Sequence, residues 1–401
     1  MSAAITTELG FEGSITNAIS GDRLGHPQFQ DYHSGMSARA IAFYLPQFHP
    51  IRENNEWWGA GFTEWTNVAK ARPLFRGHIQ PHIPADLGFY DLRLPESREA
   101  QADLAKRYGV EAFCYWHYWF GGRRILQRPF DEVLTSGKPD HKFCVGWANQ
   151  SWSGIWDGAP NRVLLEQTYP GSEDDKRHFN HLLPAFEDGR YLRVDGKPLF
   201  YVFRPEQLPD ARAFCDRWRK MSESAGLKGI YLVAEMSALW GGEATCDAPE
   251  QMGFDAGVYM RLPFLKTAQS HRWVLWRRRY LRWPEVWDYA KEPLNPPEKY
   301  VRPDIFPCVY PNWDNTPRSG RRGLVVRGSH PELFRVQVRH AVDRLKGLPA
   351  ENRLLFIKSW NEWAEGNYLE PDTVHGHGYL SVLHDELKLP VRGEKPGTVR
   401  R

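Results

Sequence analysis

Cysteine is scarce: the 401 residues hold five, Cys114, Cys144, Cys215, Cys246 and Cys308. An odd number with no CxxC pairing excludes a disulfide framework and a cysteine-based zinc site. Cys114, Cys144 and Cys308 fall inside apolar runs and read as buried small hydrophobes. No apolar run approaches the ~20 residues that a membrane-spanning helix needs. The opening MSAAITTELGFEGSITNAIS lacks both the basic start and the apolar centre of a secretory signal, so the expectation is a reduced, cytoplasmic protein. An excess of one charge is missing too. Lys+Arg 52 against Asp+Glu 49 leaves +3, which excludes a dedicated nucleic-acid binder. No fixed-length repeat is present, which excludes a solenoid.

What is abundant is aromatic. Hydrophobic residues at 41% and charged residues at 25% are ordinary for a globular chain. Aromatic content reaches 14%, with 17 Trp, 17 Tyr and 21 Phe. A core of this size can be built from Leu, Ile and Val, so the excess rings point to a cleft or a surface.

Short apolar and aromatic runs recur along the chain, each followed by a loop or helix-like stretch. They are 38–45 (ARAIAFYL), 110–115 (VEAFCY), 142–147 (KFCVGW), 198–203 (PLFYVF), 230–235 (IYLVAE), 254–259 (FDAGVY), 305–310 (IFPCVY) and 354–358 (LLFIK). Continuous apolar runs bounded by breakers fit strands buried on both faces, as in a parallel sheet. Helical patterns fall at 95–108, 171–188, 209–225, 330–346 and 378–387. The first has a proline near its start, acids early, bases late and Gly109 as its stop. About eight β/α units predict an α/β fold, a single-domain (β/α)8 TIM-type barrel over 38–390 with enlarged βα loops. Residues 1–37 read as a flexible leader and 391–401 as a basic, disordered tail. The rival is an open doubly wound sheet, but no glycine-rich phosphate loop follows the first run.

In such a barrel the loops after the strands carry the site, and here they hold the densest polar–aromatic clusters. Tyr44, His49, Trp57, Trp58, Glu64 and Trp65 lie at and after the first run, and Trp116, His117, Tyr118 and Trp119 after the second. Trp147, Asn149, Gln150, Trp152 and Trp156 follow the third, while Glu235 and Tyr259 close the fifth and sixth. After the seventh come Asn312, Trp313, Asp314 and Asn315, and after the eighth Asn361, Glu362, Trp363, Glu365 and Glu370. Flat rings beside fixed carboxylates and amides suit a sugar: the rings cover its C–H faces and the polar groups take its hydroxyls.

Glu362 and Glu365 are the candidate chemical groups. Three residues apart on a helical turn, they share a face. Two carboxylates that close raise one another's proton affinity, so one can act as an acid near neutrality. Neighbours on one turn would approach a sugar from one side, whereas the usual glycosidase pair flanks the bond. Substrate-assisted chemistry is therefore the reading to consider. Glu64 and Glu235 read as hydroxyl acceptors or as ties to loop backbone. His375 and His377, like His78 and His82, lack a third ligand at metal spacing and read as loop or substrate contacts.

FYLPQFHPIRENNEWWGAGFTEWTNV at 43–68, CYWHYWF at 114–120 and SWNEWAEGNYLEP at 359–371 resemble the WbsX family, over about 38–388. That family is associated with bacterial surface-polysaccharide and O-antigen clusters and is often labelled glycosyltransferase. It is in turn similar to glycoside hydrolase family 99, the endo-α-mannosidases and endo-α-mannanases. The resemblance implies a (β/α)8 barrel that works without metal or other cofactor on an α-linked oligo- or polysaccharide, endo-acting and retaining. It implies that Glu362 takes the proton of the sugar's 2-hydroxyl, giving a 1,2-anhydro sugar. Glu365 then protonates the leaving oxygen and activates the incoming water or sugar hydroxyl. Ala364 stands where those hydrolases often have His.

Two other functions stay open on sequence alone, a nucleotide-sugar glycosyltransferase and a non-catalytic glycan-binding protein. No nucleotide fingerprint or DxD motif supports the first. The Trp/Arg-rich stretch 271–289 places Trp273, Trp276, Tyr280, Trp283 and Trp287 at helical steps, although Pro284 interrupts it. It reads as a helix packing its ring stripe on the barrel. The alternative is a dock for a membrane surface or for envelope-polysaccharide machinery.

Overall fold

The structure is a computed structural model that describes residues 36–154, 159–236, 248–260, 283–292 and 294–388. Eight parallel strands close into a barrel: β1 (Arg39–Tyr44), β2 (Val110–His117), β3 (Lys142–Trp147), β4 (Lys197–Val202), β5 (Tyr231–Glu235), β6 (Ala256–Tyr259), β7 (Ile305–Val309) and β8 (Leu354–Ile357). Each pairs with the next in sequence, and β8 returns to β1 with Arg39 opposite Leu354 and Ala42 opposite Ile357. All eight expected runs became these strands. β2, β6, β7 and β8 are buried along their whole length, as continuous apolar runs covered on both faces must be.

The interior is packed with rings. Phe43 of β1 meets Tyr201 of β4 at 5.0 Å and Phe356 of β8 at 5.7 Å, while Trp116 of β2 stacks flat on it at 4.8 Å. Strands β1 and β4 are not neighbours, so the Phe43–Tyr201 contact crosses the barrel's inside. Part of the aromatic excess is thus core. At the N-terminal ends of three adjacent strands, Glu111 of β2 takes both Nε and Nη2 of Arg39 at 2.9 Å and Lys142 Nζ at 2.9 Å. Burial pushes its carboxyl up, but Arg39 and Lys142 outweigh that and hold it down at about 2.

The helices follow their local signals. α1 (Arg52–Trp58) and α2 (Glu64–Lys70) lie in the long loop after β1. α3 (Pro95–Arg107) begins on proline, carries Glu96 in its first turn and Lys106 and Arg107 in its last, and stops at Gly109 with φ 80°. α4 (Arg128–Ser136), α5 (Ser172–Glu187), α6 (Ala211–Ser224), α7 (Thr316–Ser319), α8 (Pro331–Arg344) and α9 (Gly378–Lys388) complete the set used here. α1, α2, α4 and α7 escaped sequence reading. They are short, 4 to 9 residues each, which leaves too few turns to establish a 3.6-residue period.

One expectation is corrected. Within the Trp/Arg-rich stretch, Glu285–Asp288 is a strand, pairing in parallel with Leu324–Arg327, so Trp287 cannot belong to a helical stripe. Leu324–Arg327 also pairs antiparallel with Trp313–Asp314. Residues 271–282 of that stretch, including Trp273, Trp276 and Tyr280, lie outside the described residues, as do 1–35, 389–401, Trp156 and Cys246. Cys114, Cys144, Cys215 and Cys308 are buried free thiols. No helix among the described residues is long and apolar enough to cross a membrane.

Candidate active site

At the C-terminal mouth of the barrel, the chain leaving β8 turns through a two-residue strand, Asn361–Glu362, and a 3-10 turn, Trp363–Glu365. Asn361–Glu362 pairs antiparallel with Asn367–Tyr368. Closing so small a loop needs a left-handed residue, and Gly366 supplies it at φ 55°, with no room for a Cβ against the Asp314 backbone. The two glutamates are therefore not on an α-helix as expected. Glu362 precedes the 3-10 turn with non-helical dihedrals, φ −82° and ψ 65°, and Glu365 ends it, so the pair flanks one tight turn.

Both carboxyls face a cavity of about 560 Å³. Glu362 accepts the Trp116 indole N–H at 3.0 Å, and Lys358 Nζ lies 3.3 Å from each of its oxygens. Glu365 accepts from Arg318 Nη1 at 2.7 Å and lies 3.8 Å from Lys358. The second Arg318 nitrogen bonds Glu64 at 2.5 Å, and Glu64 also takes the Ala364 N–H at 3.2 Å.

The electrostatics split the pair. Burial raises Glu362, but Lys358, a hydrogen bond from Glu365, Arg318 and Trp116 together pull it down to about 2. Burial and then the charge of Glu362 lift Glu365 to about 8, against the pull of Arg318 and Lys358. An arginine in contact would ordinarily keep a carboxyl ionised. Here the guanidinium is shared with Glu64, itself raised by burial, so one positive charge serves two acids. At neutral pH one neighbour is a base and the other an acid, the division that acid–base catalysis requires.

Around the carboxyls stand the rings. Trp58, Trp116, Tyr118, Trp152 and Trp313 line the cavity together with Trp57, Phe62 and Phe203. Trp152 packs 5.7 Å from Trp57 and edge-on to Tyr118 at 5.2 Å. Trp57, Trp58 and Trp152 are only half-buried, which leaves ring surface for a ligand.

The remaining sequence-derived candidates sit behind the lining. Tyr44 donates to Gln101 at 2.6 Å, and Gln101 in turn donates to Glu370 at 2.6 Å. Trp65 donates to the Tyr90 carbonyl, Trp147 to that of Trp119, and Asn149 bridges Tyr169 and Arg204. His117 meets His178 at 3.0 Å. His49 is buried and pushed down to about 4 by that burial. Glu235 accepts from Tyr201 and from the Met260 N–H. Tyr259 stacks on Tyr300 at 4.6 Å. Asn361 bonds both backbone groups of Leu45, at 2.7 and 3.1 Å, and so ties the end of β8 to the end of β1. Trp363 donates to Glu370 at 2.6 Å and stacks on Tyr368 at 3.8 Å. These groups shape the site from behind, through backbone and neighbouring rings.

Asp314 works in the same way. It accepts from His78 at 2.7 Å, Gln80 at 2.6 Å and Thr316 at 2.9 and 2.6 Å, and so anchors α7, which carries Arg318. His377 pairs with Asp86 at 2.7 Å and His82 with Tyr368 at 2.6 Å. Among the described residues no cluster of three or more His, Cys, Asp or Glu is arranged to hold a metal ion. Lys358 and Arg318 line the same cavity and were missed by sequence reading. Lys358 carried a signal, a lysine ending the buried run LLFIK one residue before SWNEWAEG. Arg318 carried none, since its place depends on the Asp314 anchor.

The fold is a closed (β/α)8 barrel. It superposes on a solved glycoside hydrolase-like protein with a TM-score of 0.54 at 18% identity, over 91% of this chain and 98% of that one. It also superposes on the GH99 endo-α-mannosidase from Bacteroides thetaiotaomicron with a TM-score of 0.50 at 16% identity, over 89% and 97%. At such identities the likeness speaks for the fold. The sequence matches the family described as Glycosyltransferase WbsX over residues 40–383, and the chain belongs to that family. It is 38% identical over 358 residues to "Uncharacterized protein WxcX" of Xanthomonas campestris pv. campestris strain B100, covering 88% of this chain and 50% of that protein. With the protein of the same name from strain ATCC 33913 the identity is 39% over 363 residues, again 88% and 50%. The chain thus spans about half the length of these curated relatives.

Proposed function

We propose that this chain is a carbohydrate-active enzyme that cleaves or transfers α-linked glycosyl units within a bacterial surface polysaccharide, retaining configuration and acting inside the glycan chain. The observation that carries the reading is the adjacent pair of glutamates with opposed proton affinities, both facing a ring-lined cavity at the barrel mouth. Half-buried Trp57, Trp58 and Trp152, which line the cavity with Trp116, Tyr118 and Trp313, favour an extended glycan over a single sugar, because one sugar ring cannot cover so many aromatic faces.

In the proposed reaction Glu362, ionised, takes the proton of the 2-hydroxyl, and that oxygen attacks the anomeric carbon to close a 1,2-anhydro ring. Glu365 gives its proton to the departing glycosidic oxygen. In the second half Glu365 takes a proton from water or a sugar hydroxyl, which opens the ring, and Glu362 returns its proton to O2. Two acids on one turn fit this one-sided geometry, whereas a double displacement needs carboxyls on opposite faces of the sugar. Hydrolysis and transfer then differ only in the acceptor, so the family's glycosyltransferase description and its hydrolase-like fold are compatible.

A product-resolved screen of α-linked bacterial polysaccharides tests the proposal. Turnover by the native chain should fall ~10²–10⁴-fold in Glu365→Gln while glycan binding persists. Native-like turnover in that variant would overturn the roles. Binding with no product from the native chain would make it a glycan-binding protein. Turnover only with nucleotide-sugar donors would make it a nucleotide-dependent transferase.

A further inference from the structure

Lys358 is unused by the reaction above, yet it is the most buried cation of the site, with 8% of its side chain exposed. It leaves the end of β8 with Nζ equidistant from both Glu362 oxygens, 3.8 Å from Glu365 and 5.7 Å from the Trp313 ring centre. Arg318 is divided between Glu64 and Glu365. The groups facing this cluster are Glu64 from α2, Trp116 and Tyr118 from β2 and its loop, Cys308 from β7 and Arg318 from α7. Tyr118 is held protonated by burial.

Counting formal charges is informative because an unbalanced buried charge is costly. Three carboxyls, Glu64, Glu362 and Glu365, face two cations, Lys358 and Arg318. The set is neutral when it holds one proton. Geometry then decides the owner. Glu362 has Lys358 on both oxygens and the Trp116 N–H besides, whereas Glu365 has half of a shared guanidinium and a distant ammonium.

We infer that Lys358 is a positioning residue whose charge sets the number of protons in the three-carboxyl cluster at one and keeps that proton off Glu362. This rests on the proposed roles of Glu362 and Glu365 as base and acid. Without Lys358 the neutral count becomes two protons, and Glu362 is the carboxyl that gains the second. The base would then be lost at the pH where the acid is intact. Arginine at the same position would keep the count.

The test reads protons directly and needs no substrate. Protein labelled with ¹³C at glutamate side-chain carboxyls is titrated by NMR, with Glu64→Gln, Glu362→Gln and Glu365→Gln used to assign the signals. At pH 7 the native cluster should show one protonated carboxyl, Lys358→Arg one, and Lys358→Met and Lys358→Gln two. In the last two the Glu362 midpoint should rise from about 2 to above 7. Lys358→Gln keeps a hydrogen-bond donor on Glu362, so it reads the charge alone and decides the matter if Lys358→Met fails to fold. An unchanged Glu362 midpoint in folded Lys358→Gln would overturn the inference. The proton count is independent of turnover, so a native chain without glycan-cleaving activity would remove the enzyme reading while the role of Lys358 in the proton count stands. If turnover is found, kcat of Lys358→Gln should fall at neutral pH and recover as pH rises, with KM little changed.

Discussion

Glu370 offers a test of the site's foundation that needs no substrate. It is buried against the Trp363–Glu365 turn, where its oxygens take Tyr90 at 2.9 Å, Gln101 at 2.6 Å and Trp363 at 2.6 Å. Burial lifts its carboxyl to about 7 against those donors, from an ordinary 4.5. The folded state therefore binds a proton more tightly than the unfolded chain does. The contribution to stability is fully present below about 4.5 and is lost as pH rises through about 7. Between pH 5 and pH 8 that loss comes to about 2.5 kcal/mol, at 1.36 kcal/mol for each tenfold change in proton affinity. In Glu370→Gln the titration disappears. The variant should also leave one or two buried donors unmatched, at ~1–3 kcal/mol each. Urea unfolding of both proteins at pH 5 and pH 8 isolates the effect, because every other titrating group cancels in the double difference. The native advantage should shrink by about 2.5 kcal/mol from pH 5 to pH 8. An advantage that stays constant across the two pH values would refute the reasoning.

Other expectations are simpler. On the preferred glycan, kcat should be level through neutrality and fall above pH 8, about tenfold per pH unit, as Glu365 loses its proton; a profile still level at pH 10 would remove Glu365 as the acid. Trp152→Ala, which strips one half-buried ring from the cavity wall, should weaken glycan binding roughly five- to tenfold by calorimetry with the fold intact. Glu111→Gln, far from the site, should cost about 2 kcal/mol in urea unfolding at pH 7, the half-exposed Lys142 being discounted. Because the folded carboxyl is depressed, that cost is complete above pH 4.5 and fades as pH falls toward 2.

How far the sequence could be read follows from what each signal depends on. The eight strands were legible because each is an apolar run such as LLFIK or VEAFCY, and burial on both faces leaves no polar alternation to confuse the pattern. Glu362 and Glu365 were legible because carboxylates beside Trp360 and Trp363 have no solvated face to occupy. The candidates that turned out to stand behind the lining were illegible as such. Asn361 and Trp363 sit in the same seven residues as the glutamates, and only the direction of each side chain at the turn separates a lining group from a brace. Arg318 was out of reach because its partners, Glu64 and Glu365, lie 254 and 47 residues away. The helical stripe failed at Trp287 because spacing of rings says nothing of a neighbouring strand, here Leu324–Arg327, that can recruit the segment.

The seam between the last strand and the first has a consequence of its own. Glu64 follows β1, Arg318 follows β7, and Glu362 and Glu365 follow β8, so the site is drawn from the two ends of the barrel sequence. Asn361 clasps Leu45 across the join. A half-barrel from either side would hold Glu64 without its arginine, or the arginine with one acid in place of two. Without Glu64, the carboxyls of Glu362 and Glu365 already balance Lys358 and Arg318, so the retained proton that the proposed acid needs belongs to the completed ring alone.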